Sequence, residues 1–288
     1  MSSSAIAHLE PGAQSARAAR PLLPLLLCCE LLLAPALAQE GAPPRLAPRQ
    51  DVQAPPRVPL HPGAQVGDTL ERTSEQRDVV VRERTTIVAR LDDGRLVVER
   101  TSSAPGAVAL RLVVDARGRT LAAEGGAPGD RALAPVPIAE DPPPSPERLV
   151  GHEERTVAGV TFRCERRVIE QESPVRLRTL RLVVADGPRA GLVVLQESQV
   201  AGRSTRVELV GLTETAVEVG DRSVPCLRAD RRPLLDGVPS PVVSEWVALE
   251  PLFFGETLVR LDNGLGITRL TALGRDGHTV FPEAPIPD

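Results

Sequence analysis

The sequence predicts an all-β protein in which antiparallel meander sheets form an extended sheet, a half-barrel or a barrel, with two duplicated units in the C-terminal part. Three observations favour this fold class. Runs rich in Val, Ile and Thr recur along the chain and are bounded by turns such as Asp93-Gly94. Beyond the N-terminal segment, no stretch has the apolar spacing of a helix. The stretch Thr156 to Cys164 is echoed 62 positions later by Val217 to Cys226.

The first 38 residues have the layout of a secretory signal peptide. Arg17 and Arg20 precede an apolar run, and Ala36-Leu37-Ala38 forms an A-x-A cleavage site. Glu30 interrupts the run and disfavours a retained membrane span, because a carboxylate is costly at the centre of a membrane helix. We therefore expect residues 1–38 to be removed, and the protein to be periplasmic or extracellular with no integral membrane span after signal removal.

A lipoprotein is the alternative for this N-terminus, with Cys28 as an acylated first residue. Leu27 stands where a lipobox has a small residue, which favours simple cleavage. Residues 39–67 follow and are dense in Pro, Ala, Arg and Gln without any periodicity. Such composition predicts a disordered, Pro-rich leader.

Composition excludes several kinds of chemistry. All 34 basic residues are Arg and there is no Tyr, a skew typical of a GC-rich bacterial genome. Without Lys the chain has no P-loop lysine, no Schiff base and no kinase-type lysine. A net charge of −4 gives no electrostatic footprint for nucleic acid, and one Trp with four Phe offers few stacking platforms. We expect no cofactor and no nucleic-acid partner.

Residues 68–123 predict an N-terminal β meander. A β-branched run from Val79 to Leu91 ends at Asp92-Asp93-Gly94, and residues 95–101 return as its partner strand. Further strands are predicted at residues 107–114 and 119–123. Glycines and then prolines dominate residues 124–150, which we expect to be a linker because proline removes a ladder donor.

Residues 151–212 and 213–275 predict two β units of about four strands each, related by duplication. Besides the cysteine echo, Ser173-Pro174-Val175 matches Ser240-Pro241-Val242. The offsets between matches drift, so convergence among the abundant Val, Leu and Arg residues is the alternative. Residues 276–288 form a Pro-rich tail in which we expect no regular structure.

Two cysteines, Cys164 and Cys226, lie in the predicted mature chain. An exported protein meets an oxidising compartment, so the pair predicts either a disulfide or two buried thiols at equivalent places in the two units. Alternation in the Val160 to Glu165 strand places Cys164 on the apolar face.

No catalytic or metal-binding motif stands out. His152-Glu153-Glu154 lacks the second His four residues on that a zinc-binding helix needs, because Thr156 stands there. A Cys164 and His152 pair is disfavoured because Cys164 lies within an alternating strand. Acidic turns such as Asp92-Asp93 and Asp262-Asn263 fit hairpins better than calcium sites. We therefore predict no catalytic and no metal-binding residues.

The scarce aromatic residues cluster near Trp246, which is followed by Leu252-Phe253-Phe254. Two interpretations are open. Trp246 anchors the core, or Trp246, Leu252, Phe253 and Phe254 line an apolar pocket.

A resemblance rests on two short motifs. These are Val157-x-Gly159-x-Thr161-Phe162-x-Cys164, and a later glycine-led strand, Gly191 to Val194, with Trp246 and Gly255 in the second unit. They resemble uncharacterised secreted bacterial β proteins, some of which are similar to the periplasmic LolA/LppX-type half-barrels that carry lipids or lipoproteins. The resemblance implies a curved sheet around an apolar ligand, although no helix is recognisable here to plug the mouth.

These observations predict an exported, non-enzymatic envelope protein that is structural or binds a partner through a β surface. The first alternative is a periplasmic carrier of a lipid or another apolar ligand. The second is a hydrolase whose site is assembled from dispersed carboxylates. The expected partner is accordingly an envelope protein or an apolar ligand of unknown identity.

Overall fold

The computed structural model describes residues 52–140, 146–171 and 176–286. The predicted signal peptide, residues 39–51 and Ser173-Pro174-Val175 lie outside this part. The strands are β1 Thr69–Gln76, β2 Val79–Arg90, β3 Leu96–Ser102, β4 Ala109–Val114, β5 Thr120–Gly126, β6 Ala134–Pro135, β7 Glu147–Val157, β8 Val160–Gln171, β9 Leu177–Val184, β10 Val193–Val200, β11 Arg203–Val219, β12 Arg222–Leu235, β13 Val238–Pro239, β14 Val243–Ala248, β15 Leu258–Asp262 and β16 Gly266–Gly274.

The predicted all-β class is confirmed. In the described ranges, sixteen strands form one antiparallel sheet in the order β6-β5-β4-β3-β2-β1-β16-β15-β14-β12-β11-β10-β9-β8-β7, and β13 pairs with β12. The sheet is extended and does not close, since β6 and β7 are its two ends, so the closed-barrel alternative is wrong. In the described ranges the helical structure is a single 3-10 turn, Phe253–Gly255.

The β2–β3 hairpin forms where the Asp-Gly signal predicts it. Gly94 has a φ of 86°, which a residue with a side chain rarely adopts. The backbone amide of Arg95 donates to the Asp93 carboxylate, and this hydrogen bond lowers the pKa of Asp93 below its ordinary value. The Asp93 carboxylate thus makes a local hydrogen bond within the hairpin turn.

The echoed stretches form two hairpins of the same design. Ala158-Gly159 connects β7 to β8, and Gly220-Asp221 connects β11 to β12. Val157 faces Val160 across the first turn, and Val219 faces Arg222 across the second. Each cysteine lies four residues into the second strand of its hairpin, and both strands continue well beyond it. The duplication itself stays a prediction.

Two apolar cores lie on opposite faces of the sheet. The larger core contains Cys226 from β12 and Val219 from β11, together with residues of β1 to β5 and β14 to β16. The smaller core contains Cys164 and, from β12, Ala229. Successive side chains of a strand point to opposite faces, and Cys226 and Ala229 are three positions apart without an intervening bulge. Strand β12 therefore contributes side chains to both cores, one from each of its faces.

The predicted leader differs from expectation where it is described. Residues 52–64 lie against the larger core, with Ala54, Val58 and Ala64 buried. The amide of Ala54 donates to the carbonyl of Pro137, and the amide of Val58 donates to the carbonyl of Gly118. Apolar burial together with these hydrogen bonds holds the segment in place despite its proline content.

Strands and strand pairings also continue across the predicted domain boundaries. Within residues 124–150, β5 extends to Gly126, β6 pairs with β5, and β7 begins at Glu147. Strand β11 runs across the predicted boundary between residues 212 and 213. Strand β1 of the N-terminal meander pairs with β16 of the second unit, so both belong to one sheet.

Candidate binding cleft

A cleft of about 340 Å³ lies between the docked leader and the adjacent ends of β2, β3 and β4. It opens on the same face of the sheet as the larger core. Its lining combines the polar ends of three strands with apolar and backbone surface from the leader. The lining residues are Gln53, Ala54, Pro55, Glu83, Arg100, Thr101, Ser102, Val108, Leu110 and Ala139.

Strand alternation places Glu83 and Arg100 in this cleft. Ile87 in β2 and Val98 in β3 are fully buried in the larger core. Glu83 is four positions before Ile87, and Arg100 is two positions after Val98, so both charged side chains continue the core-facing rows. The two rows therefore change from apolar to charged as they leave the core and enter the cleft.

Neither charge in the cleft is neutralised by the protein. Glu83 and Arg100 are both half-buried. Neither side chain makes a hydrogen bond or an ion pair with any residue in the described ranges. Partial burial without a partner costs free energy because each group loses part of its hydration. A bound molecule that brings complementary charges would offset that cost.

The nearest cross-strand cation is already engaged. Arg72 in β1 lies directly opposite Glu83 in the β1–β2 ladder. Its guanidinium donates at 2.6 Å to the carboxylate of Glu256, just after the 3-10 turn. Arg72 therefore stabilises the segment around the turn, and Glu83 keeps its carboxylate free for another group.

The predicted apolar-pocket residues lie elsewhere. Trp246 and Leu252 pack half-buried against the larger core, and Phe254 is buried in it. The side chain of Phe253 lies outside the described part. The guanidinium carbons of Arg228 and Arg260 lie 5.1 Å and 4.7 Å from the Trp246 ring centroid, as in cation–π contacts.

The described part thus brings Trp246, Leu252 and Phe254 together as packing residues, and none of the three lines the cleft. The packing of Trp246 against the larger core is compatible with the anchor interpretation, and the choice between anchor and pocket stays a prediction. The pocket function of this group, with Phe253 included, stays a prediction.

Cys164 and Cys226 are free, buried thiols in the structure. They lie in different cores on opposite faces of the sheet, and the choice between a disulfide and two buried thiols stays a prediction. Burial raises the pKa of the Cys164 thiol, and it raises that of Cys226 to about 11. Both thiols are protonated near neutral pH and are poor nucleophiles.

Strand register also separates the residues once considered for thiol catalysis. Cys164 faces Glu153 in the β7–β8 ladder, whereas His152 faces Glu165. His152 is therefore on the opposite face of the hairpin from the buried thiol. Within the described ranges, no group of three or more His, Cys, Asp or Glu side chains is arranged to hold a metal ion.

Sequence reasoning missed the charged cleft, although a signal for it was present. Glu83 is four positions before Ile87 and Arg100 is two positions after Val98, so the two core-facing rows could be followed outward to these charged residues. What the pattern could not show is that residues 53–55 pass over the same strand ends and turn a sheet surface into a cleft. That contact joins segments far apart in the chain.

No family model matches the sequence, and no curated protein shows significant similarity to it. In the described ranges, no helix is long and apolar enough to span a membrane.

Solved structures give only distant similarity. One is described as an exported protein with a YmcC-like fold from Bacteroides fragilis, at 11% identity and a TM-score of 0.24, covering 75% of this chain and 99% of that chain. The Pseudomonas aeruginosa MucA/MucB complex gives 14% identity and a TM-score of 0.20, covering 73% and 88%. A second complex of MucB with periplasmic MucA gives 13% identity and a TM-score of 0.18, covering 74% and 91%. At these values the similarities assign neither a family nor a function to this chain.

Proposed function

We propose that the protein is an exported, non-enzymatic binding protein that recognises a segment of an envelope partner in the cleft beside its leader. One observation carries the proposal: Glu83 and Arg100 are half-buried in the cleft and have no partner among the described residues. The A-x-A signal at Ala36-Leu37-Ala38 supports the exported location.

The lining favours a peptide over a lipid tail. The cleft presents a carboxylate, a guanidinium and the hydroxyl of Ser102, with Val108 and Leu110 as its large apolar side chains. A peptide segment carrying a basic and an acidic side chain can pair with Glu83 and Arg100 while its aliphatic groups contact Val108 and Leu110. A hydrocarbon chain would leave both charges partly desolvated and unpaired.

The leader also occupies space that an apolar cargo would need. Residues 52–64 lie against the larger core, where Ala54, Val58 and Leu60 pack. The protein's own segment thus supplies the apolar contacts on this face. This packing supports the partner-binding function over the carrier alternative.

Site-specific photo-crosslinking tests the proposed function. A photoreactive amino acid replaces Val108 in the cleft, and in a control variant it replaces Leu121, which is 46% exposed on β5 and is not part of the cleft lining. Irradiation of cells that make the full-length protein should give a discrete crosslinked species with the Val108 variant only. Equal labelling from both positions, or none from either, would contradict the proposal.

A further inference from the structure

The C-terminal residues 279–285 lie on the face of β3 and β4 that is opposite the larger core. Glu99 and Arg111 project from this face, because they alternate with core residues such as Val98 and Leu112. Both charged side chains are almost fully buried, at 2% exposure each. They are covered by a segment that forms no strand, so contacts other than ladder pairing hold it there.

Arg111 binds the backbone of this segment. Its Nη1 donates to the carbonyls of Ala284 and Pro285 at 3.3 and 2.8 Å, and its Nη2 donates to the carbonyl of Phe281 at 3.1 Å. Its Nε donates to Glu99 at 3.0 Å. The planar guanidinium therefore donates hydrogen bonds, in a fixed geometry, to three carbonyl oxygens of the segment.

Glu99 binds the N-terminal end of the segment, at Thr279 and Val280. Its Oε1 accepts a hydrogen bond from the Thr279 hydroxyl at 2.8 Å, and its Oε2 accepts one from the Val280 amide at 2.7 Å. The carbonyl of Val280 accepts a hydrogen bond from the Gly129 amide at 2.8 Å. Polar groups from Thr279 to Pro285 are thus bound largely through side chains, as in a peptide complex.

The Phe281 side chain makes the apolar contacts by which the site selects its peptide. Its ring is 1% exposed, packs with Ala109, Ala284 and Leu133, and lies 5.3 Å from the guanidinium carbon of Arg111. Phe281 to Ala284 forms a turn closed by the Ala284 amide, with proline at its second position, where its fixed φ fits. Pro282 and Glu283 remain exposed on the outer side of the turn.

We propose that this face is a peptide-binding site for a Thr-x-Phe-Pro-x-Ala turn. The chain's own residues 279–285 occupy it in cis, and a segment of a partner protein with the same features can occupy it in trans. The proposal concerns the face of the sheet opposite the cleft and is independent of the function proposed for that cleft.

Anisotropy titrations with a fluorescent peptide of residues 278–286 test the proposal on the full chain. The Phe281→Ser substitution weakens the binding of the chain's own tail and should leave the site open. This variant should therefore bind the peptide at least tenfold more tightly than the wild-type chain, in which the tail competes for the site. Two controls should abolish binding: the peptide with Phe281→Ser, and the doubly substituted chain Phe281→Ser/Arg111→Met. A Phe281→Ser chain that keeps its circular dichroism but does not bind the peptide would overturn the proposal.

A second measurement covers the case in which Phe281→Ser fails to fold. A protease site is inserted after His278, which is exposed, and the folded full-length protein is cleaved there. The released tail should remain bound and should exchange with excess labelled peptide. Unfolding on cleavage, or a tail that does not exchange within a day, would show that the segment is a fixed part of the core and would overturn the proposal.

Discussion

Substitution of Arg111 by Met removes a buried cation while keeping most of its apolar volume. The Arg111 guanidinium and the Glu99 carboxylate lie 3.0 Å apart, and their side chains are 1% and 2% exposed. In the variant, Glu99 keeps its hydrogen bonds to Thr279 and Val280 but loses its counter-charge. Three carbonyls of the tail lose their donor at the same time.

The magnitude follows from the burial of the charge. Removing one partner of a buried ion pair leaves an uncompensated charge, and this costs about 3–5 kcal/mol. Such a loss is a large fraction of the roughly 5–15 kcal/mol that stabilises a folded domain. We expect Glu99→Leu/Arg111→Met to be more stable than Arg111→Met alone, because the double variant carries no unpaired charge.

Urea denaturation followed by circular dichroism measures these differences. Arg269→Met is the matched control, since Arg269 pairs with Glu75 at 2.8 Å but the two side chains are 51% and 40% exposed. We expect it to lower the free energy of unfolding by less than about 1 kcal/mol. The reasoning is refuted if Arg111→Met costs no more than Arg269→Met, or if the double variant is less stable than Arg111→Met.

Four further predictions concern the leader, the thiols and cargo. Gly118→Ala should destabilise the protein by more than about 1–3 kcal/mol in urea, because Gly118 has a φ of 76° and a Cβ there would lie 2.0 Å from the Val58 carbonyl oxygen. The control is Gly94→Ala, which has a φ of 86° and open space around the Cβ, so it should cost only the backbone strain. Equal losses of stability in the two variants would contradict the docked leader. Unreduced protein should give no rapid reaction with a thiol reagent when native and two thiols when denatured, whereas a denatured sample without free thiols would indicate a disulfide. Burial raises the pKa of Cys226 to about 11, so the thiol loses its proton at a lower pH in the unfolded chain than in the folded one. The free energy of unfolding should therefore fall as the pH rises from about 9 toward about 11. A free energy of unfolding that is constant across this window would contradict the burial of the thiol. Native mass spectrometry of protein from its own envelope should show the mass of the bare chain, and a stoichiometric lipid-sized adduct would favour the carrier alternative.

Local chemistry explains which parts of the fold could be predicted. The β2–β3 hairpin follows from Asp93-Gly94 and two β-branched runs, all within a few residues of one another. The same holds for the paired hairpins at Ala158-Gly159 and Gly220-Asp221. In each case the turn residues and the alternation of the strands act over short distances that the sequence displays directly.

The parts that were missed depend on contacts between distant segments. Val58 is buried because it meets the β4–β5 turn at Gly118, and nothing in a proline-dense leader signals that surface. Arg111 appears in the sequence as one more strand arginine, and its burial depends on carbonyls about 170 residues further along the chain. The candidate cleft has the same origin, since the leader covers strand ends that would otherwise face solvent.

The charge of Arg100 gives the most direct test of the proposed function. Photo-crosslinking from position 108 is repeated in the full-length protein with Arg100→Glu, and thermal unfolding is measured in parallel. Arg100 has no hydrogen-bond or ion-pair partner among the described residues, so we predict that the variant still folds and that the crosslinked species falls at least tenfold. Undiminished crosslinking in the folded Arg100→Glu variant would contradict recognition of a partner through the charges of this cleft.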